Sequence, residues 1–117
     1  MTPSSRSVIV LDDDQTSLRE ISQKLAPRYK VLPTPDLHVA MRFLEDDRTV
    51  VLFVVSQSFK RMPWTQILQE VRSLRPNVKR VLQTPYGDLT DIMPGLHNGS
   101  VNQIISKPAA SGEIATL

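Results

Sequence analysis

The sequence has 117 residues, of which 40% are hydrophobic and 22% are charged, and its net charge at pH 7 is +2. A chain of this size forms one globular domain, and so small a charge gives no argument for nucleic-acid binding. The chain has no cysteine and two histidines, which excludes disulfides and a cysteine nucleophile and argues against a histidine-based zinc site. No stretch reaches transmembrane length, so we expect no membrane binding and a cytoplasmic location.

The first predicted element is a strand over residues 7–12, because Val8 to Leu11 form an apolar run of the kind buried on both faces of a sheet. Three carboxylates, Asp12, Asp13 and Asp14, follow at its carboxyl end. The pair Asp12 and Asp13 fits either a Mg²⁺ site or a plain strand end. Asp14 is better explained as the N-cap of the next helix.

The remaining elements alternate in the same way. Strands are predicted over 29–32, 50–55, 78–82 and 101–105, and helices over 15–26, from 35, over 64–74, from 88 and from 111. Pro33 is expected to close the second strand, and Pro94 with Gly95 to interrupt the fourth helix. Ser111 is a candidate cap for a last helix that is cut short. We therefore expect a disordered tail over 1–6 and one domain over 7–117 whose last helix is truncated.

Five strands alternating with five helices predict an α/β fold, a doubly wound parallel sheet with both faces covered. Three groups of polar residues then meet at the carboxyl edge of the sheet. Asp12 and Asp13 follow the first strand, Thr84 follows the fourth, and Lys107 follows the fifth. The sequence thus predicts one cleft that holds carboxylates, a hydroxyl and an ammonium group.

The motifs Val-Leu-Asp-Asp-Asp (10–14), Gln-Thr-Pro-Tyr-Gly-Asp (83–88) and Ile-Ser-Lys-Pro (105–108) resemble, in this order and spacing, the receiver domain of bacterial two-component response regulators. The resemblance runs from Val8 to Glu113. It implies a five-stranded flavodoxin-like receiver fold with strand order 2-1-3-4-5. It also implies an acidic pair that holds Mg²⁺, a Ser/Thr and a lysine that hold phosphoryl oxygens, and an aspartate ending the third strand that accepts phosphate from a histidine kinase.

The third strand departs from this pattern, because Ser56 falls at the phosphoacceptor position and a shift of one residue would place Gln57 there. No aspartate or glutamate lies between Asp47 and Glu70 to replace it. We interpret Ser56 as a polar strand end with no base except Asp12 or Asp13 to activate it. The loop is also altered: Phe59-Lys60 replaces the family's Met-Pro, and Trp64 replaces its glycine.

The other positions of the family's site keep plausible residues. Thr84 and Lys107 match the phosphoryl contacts; without an acceptor, we expect Thr84 to bond within its loop and Lys107 to pair with Asp12 and Asp13. Ile104, at the family's aromatic switch position, is expected to be a buried core residue. Trp64 is expected to cover the third helix, with a partner contact as the alternative.

The middle of the chain is basic. We expect these residues to form a solvated face, with an acidic partner as the alternative; they are Lys60, Arg61, Arg72, Arg75, Lys79 and Arg80.

The expected function is that of a degenerate receiver in two-component signal transduction, without enzymatic activity. It would act independently of phosphorylation, through a protein partner such as an output domain, a sensor kinase or another regulator. Metal binding at Asp12 and Asp13 would be weak or vestigial, with no other cofactor. Two alternatives stay open: a working receiver with a non-standard acceptor, and a domain whose lysine–aspartate pair mimics one signalling state. Its oligomeric state is not predicted.

Overall fold

The computed structural model describes residues 6–85 and 92–117. Strands and helices alternate in it as the hydrophobic pattern predicts. In chain order they are β1 (Ser7–Leu11), α1 (Gln15–Leu25), β2 (Lys30–Thr34), α2 (Leu37–Asp46), β3 (Val50–Ser56), α3 (Trp64–Leu74), β4 (Lys79–Thr84), α4 (Met93–His97), β5 (Gln103–Ser106) and α5 (Ser111–Ala115). Among the described residues no helix has both the length and the apolarity to cross a membrane.

The five strands form one sheet in the order β2-β1-β3-β4-β5, and each neighbouring pair is parallel. The predicted fold class and strand order are thereby confirmed. Because parallel strands all point the same way, the carboxyl ends of β1, β3, β4 and β5 lie along one edge of the sheet. The candidate polar residues follow or end these four strands.

Both faces of the sheet are covered, since alternate residues of the central strands face opposite helices. Phe53 and Val55 of β3 belong to the core shared with α2 and α3. Val54 belongs to the core shared with α1 and α5, together with Val81 of β4. This double burial explains why the strands read as continuous apolar runs.

Pro33 does not close β2 as predicted but lies inside it, paired with Val10. The N–H of Lys30 donates to Arg6 and the carbonyl of Thr34 accepts from Asp12, so alternate β2 residues bond to β1. Pro33 lies between those residues, and its missing N–H falls on the open side of an edge strand. A proline there breaks no ladder hydrogen bond and prevents another strand from pairing at this edge.

The fourth helical region is described only in part. The expected start near Asp88 lies outside the described residues, so the predicted interruption at Pro94 and Gly95 stays a prediction. The described helix begins at Met93, and Pro94 lies in its first turn, where a missing N–H costs nothing. Gly95 is buried, and a Cβ atom there would lie 3.0 Å from the Trp64 ring.

The two ends of the described chain are held by side chains. Arg6, predicted to lie in the tail, stacks over the Tyr29 ring at 5.2 Å. At the other end, Ala110 and not Ser111 precedes α5, and the Glu113 carboxylate accepts from the Ala110 N–H at 3.0 Å. Glu113 also accepts from the Ser106 N–H at 2.9 Å, which ties α5 to β5.

Candidate functional site

The candidate residues converge at the carboxyl edge of the sheet. Asp12 follows β1, Ser56 ends β3, Thr84 ends β4 and Lys107 follows β5. Asp12, Ser56 and Thr84 are each no more than 1% exposed. Ser56 is the polar end of β3, as interpreted from the sequence, whereas Gln83 and Thr84 were expected in a loop and are the last two residues of β4.

The Lys107 ammonium group lies at the centre of this cleft and reaches three oxygen atoms. It is 2.9 Å from Oδ2 of Asp12, and it donates to the Oγ atoms of Ser56 at 2.7 Å and Ser58 at 3.1 Å. An ammonium group has three N–H donors. Two of them are used by the serine hydroxyls, while the contact with Asp12 is an ion pair whose Oδ2 accepts no hydrogen bond among the described residues.

The acidic residues have separate partners. Asp12 Oδ1 accepts from the Asp14 N–H at 3.0 Å, and Asp13 Oδ2 accepts from the Lys60 N–H at 3.1 Å. We predicted that Lys107 pairs with both carboxylates. Among the described residues it forms a salt bridge with Asp12 alone. Asp13 instead holds the loop that follows β3.

Asp14 is the N-cap of α1, as predicted. Its side chain accepts from the N–H groups of Thr16 at 3.0 Å and Ser17 at 3.4 Å. These bonds favour the ionised carboxylate, and the bond from Ser17 is the main reason that the pKa of Asp14 lies below its usual value. This aspartate therefore serves the helix and not the cleft.

Thr84 has a partner that the sequence analysis did not foresee. We expected a hydrogen bond within its own loop, but its hydroxyl donates to the side-chain oxygen of Gln57, which follows β3. The bond links the ends of two adjacent strands. Gln57 was considered only as an alternative phosphoacceptor position, and no sequence signal paired it with Thr84.

Ser58 is the other residue of the cleft that sequence reasoning missed. Its hydroxyl lies 2.9 Å from that of Ser56, and its N–H donates to Ser56 Oγ at 3.3 Å. Ser58 lies in the turn after β3, where the Phe59 N–H donates to the Ser56 carbonyl at 3.1 Å, and no sequence signal placed its hydroxyl beside Ser56. Ser56 itself has an ammonium group and a hydroxyl beside it, and no carboxylate hydrogen-bonds to its Oγ in the described part of the chain.

The cleft fits a divalent metal ion poorly. Asp12 Oδ2 already lies beside the Lys107 ammonium group, and Asp12 Oδ1 and Asp13 Oδ2 accept from backbone N–H groups. Within residues 6–85 and 92–117 no group of three or more histidine, cysteine, aspartate or glutamate side chains is placed to hold a metal. Mg²⁺ prefers six oxygen ligands in near-octahedral geometry, so two engaged carboxylates give a weak site at best.

The altered loop turns its aromatic side chains inward. Phe59 is 5% exposed and Trp64 is 8% exposed, and both belong to the core shared with α2 and α3. Trp64 packs towards Gly95, which supports its reading as a covering residue and leaves little of it for a partner. Ile104 was expected to be fully buried but is only partly buried against the same core; its neighbour Ile105 is the fully buried one.

The predicted basic face is not a uniformly solvated surface. Arg75 donates to the carbonyl oxygens of Leu44 at 2.7 Å and Val50 at 3.2 Å, so it holds the end of α2 against β3. Arg80 is 5% exposed and donates to four carbonyl oxygens, those of Pro76, Val78, Gly99 and Ser100. Burial lowers the pKa of the Arg80 guanidinium.

No protein-family model matches the sequence. Among curated proteins, the chain is similar to the hydrogenase transcriptional regulatory protein HoxA of Cupriavidus necator, with 27% identity over 92% of this chain and 22% of that protein. It is also similar to the photosynthetic apparatus regulatory protein RegA of Cereibacter sphaeroides, with 24% identity over 93% of this chain and 59% of that protein. The chain thus spans about a fifth of HoxA and three fifths of RegA.

Solved structures of receiver domains superpose on this chain. The signal receiver domain of an HD domain-containing protein from Pseudomonas fluorescens superposes with a TM-score of 0.83 at 23% identity, covering 99% of this chain and 85% of that one. A CheY-like response regulator receiver domain protein from Methanospirillum hungatei gives a TM-score of 0.82 at 22% identity, covering 95% and 88%. The chain has the CheY-like receiver fold.

Proposed function

We propose that this chain is a receiver-like domain of two-component signalling that works without phosphorylation, in the cytoplasm, by binding another protein. The receiver fold and the similarity to two regulatory proteins support the signalling context. The observation that carries phosphorylation independence is the set of partners around Lys107. Its ammonium group is bound by Asp12, Ser56 and Ser58, all side chains of this chain.

The charge in the cleft supports the same proposal. Phosphorylation at the acceptor position needs a carboxylate nucleophile. The transferred phosphoryl group also needs cations and hydrogen-bond donors that are free to bind it. Here Ser56 replaces the carboxylate, Lys107 faces side-chain acceptors, and the Thr84 hydroxyl donates to Gln57. Where a phosphoryl group would bind in the resembled family, the acceptor is thus replaced by a neutral hydroxyl, and the lysine and threonine already have partners within this chain.

The surface proposed for the protein partner is the face from α4 to α5, where two apolar side chains of α4 are exposed. Met93 is 44% exposed and Leu96 is 36% exposed. The altered β3–α3 loop is the second candidate surface, although its two aromatic side chains are buried. The partner would be an output domain, a sensor kinase or another regulator.

Phosphorylation independence is tested by adding acetyl phosphate, or beryllofluoride, with Mg²⁺ to the ¹⁵N-labelled protein. We expect the amide spectrum and the intact mass to stay unchanged, with Ser56→Asp as the matched variant that regains an acceptor. An acid-labile, hydroxylamine-sensitive phosphoprotein formed by the wild-type chain would contradict the proposal. In a binding assay with a candidate output domain or kinase, Leu96→Asp should weaken binding and the exposed α3 variant Leu74→Asp should not.

A further inference from the structure

A small cavity lies beside the cleft, between α1 and the segment that follows β5. Its volume is about 220 Å³, and its lining residues are Ser17, Glu20, Ile21, Gln83, Lys107, Pro108 and Ala109. Sites for drug-sized ligands measure about 300–1,000 Å³. This cavity therefore suits a molecule of only a few heavy atoms.

Gln83 provides a buried acceptor on the wall of this cavity. The side chain is 2% exposed, and its Nε2 donates to the Ser106 carbonyl at 3.3 Å. Exchanging the amide nitrogen and oxygen would bring two oxygen atoms to that distance, so the assignment stands. Its Oε1 has no hydrogen-bond partner among the described residues. A buried acceptor without a donor costs free energy, so a bound molecule that donates to it would be stabilised.

Glu20, an exposed residue of α1, adds a carboxylate to the lining of the same cavity. Its natural partner would be Lys24, four residues later on α1, but the Lys24 ammonium donates to the carbonyl of Ala109. The salt bridge recorded in the described part of the chain joins Lys107 to Asp12 and does not involve Glu20. The cavity thus combines a carboxylate outside any recorded ion pair with an unsatisfied amide oxygen.

We propose that this cavity binds a small primary ammonium ion, with Gln83 Oε1 and the Glu20 carboxylate as its acceptors. An ammonium group supplies three donors and one positive charge, which the two acceptors require. Lys107 and Lys24 do not supply them, because their ammonium groups are directed at Asp12 with Ser56 and Ser58, and at Ala109. The proposal is independent of whether the domain is phosphorylated.

The test is a titration of the ¹⁵N-labelled chain with methylammonium chloride at constant ionic strength. We expect saturable amide shifts at Ser17, Glu20, Gln83 and Ala109, with a dissociation constant in the millimolar range. Gln83→Leu and Glu20→Gln should each weaken binding by about fivefold or more, the change that one lost hydrogen bond produces. The matched surface variant Glu70→Gln should bind as the wild type does.

Two salts act as controls for charge and for shape. Sodium chloride has no N–H donor, and tetramethylammonium chloride has the charge without a donor, so neither should reproduce the shifts. Linear shifts equal to those with sodium chloride would mean that the cavity holds only water and would overturn the proposal. Unchanged affinity in Gln83→Leu, with that variant shown to be folded by its amide spectrum, would overturn it as well.

Discussion

Two cations of this chain, the buried Arg80 and the partly buried Lys107, are stabilised in different ways. Arg80 donates to four backbone carbonyl oxygens near the amino end of β4, whereas Lys107 faces side chains at the carboxyl edge of the sheet. Carbonyl oxygens are fixed by the fold, and no substitution of a neighbouring residue removes them. Side-chain acceptors can be exchanged one at a time.

The comparison shows why only one of these cations belongs to a site. Around Arg80 the backbone provides partners that are independent of the neighbouring side chains, so the guanidinium is part of the framework. Around Lys107 the partners are one carboxylate and two hydroxyls, which are the groups that define the chemistry of the cleft. We therefore expect that removing Arg80 destabilises the fold and that removing Lys107 changes the cleft.

The largest effect is expected for Arg80→Met. The substitution removes every donor to the four carbonyl oxygens while keeping a side chain of similar length. We expect the free energy of unfolding to fall by about 3–4 kcal/mol, since several buried acceptors lose their donor. Urea denaturation measures this loss. Lys79→Met is the control; its ammonium donates to the Thr116 carbonyl at 3.4 Å on the surface, and the expected loss is below about 1 kcal/mol.

A smaller effect is expected for Lys107→Met, which leaves the 1% exposed Asp12 side chain without its cation. The expected loss is about 2–3 kcal/mol, less than for a fully buried pair because Lys107 is partly exposed. Adding Asp12→Asn removes the unpaired charge, so the double variant should recover about half of that loss. A double variant no more stable than Lys107→Met would show that the hydroxyl contacts, and not the ion pair, hold the cleft together.

Restoring the acceptor is the next test. Ser56→Asp places a third carboxylate beside Asp12 and Asp13, so the metal-free variant should lose about 1 kcal/mol and bind Mg²⁺ more tightly than the wild type. The wild type should show little saturation at millimolar Mg²⁺. Calorimetry and amide shifts measure both affinities.

The control for this experiment is Gln57→Asp. Gln57 follows β3 in a turn, and its side chain accepts from Thr84 and, among the described residues, forms no hydrogen bond with Lys107, so this variant should gain no metal affinity. The reverse result, with tighter binding by Gln57→Asp and not by Ser56→Asp, would mean that the alignment of the third strand is wrong by one residue.

Much of the fold and part of the cleft could be predicted from the sequence. The parallel sheet was predictable because its strands are apolar on both faces and alternate with amphipathic helices, and the convergence of Asp12, Thr84 and Lys107 follows from that topology. The family resemblance supplied the strand order. The resemblance also placed Ser56 at the phosphoacceptor position, and no aspartate or glutamate lies between Asp47 and Glu70 to replace it.

The rest could not be predicted, for reasons that differ by residue. Pro33 was read as a strand end, since the sequence does not show which side of an edge strand is open. Arg80 was read as a surface residue, because its carbonyl partners carry no sequence signal. Gln83 was read as loop, although it is a buried residue of β4 whose polar side chain faces α1. In each case tertiary contacts decided the outcome.

The smallest effect concerns a charge that the backbone stabilises at the surface. Asp14, an N-cap, is an exposed anionic counterpart of Arg80, because N–H groups bind it as carbonyls bind the guanidinium. Its pKa is lowered, chiefly by the bond from Ser17. A carboxyl with a lower pKa in the folded state stabilises above its unfolded pKa, about 3.9, and that contribution is lost as the pH falls through the folded value.

Wild-type stability should therefore decrease on acidification below about pH 4 more steeply than that of Asp14→Asn. Asparagine keeps the cap but cannot titrate, so the two stability curves should converge at low pH and separate above it. Urea denaturation at a series of pH values between about 2 and 6 measures this difference. Glu70→Gln, which removes an exposed carboxylate of α3 without affecting the cap, is the control for the loss of one negative charge. Parallel curves of unfolding free energy against pH for the wild type and Asp14→Asn would contradict the prediction. They would show that the cap stabilises the helix through its hydrogen bonds and that the negative charge of Asp14 contributes nothing.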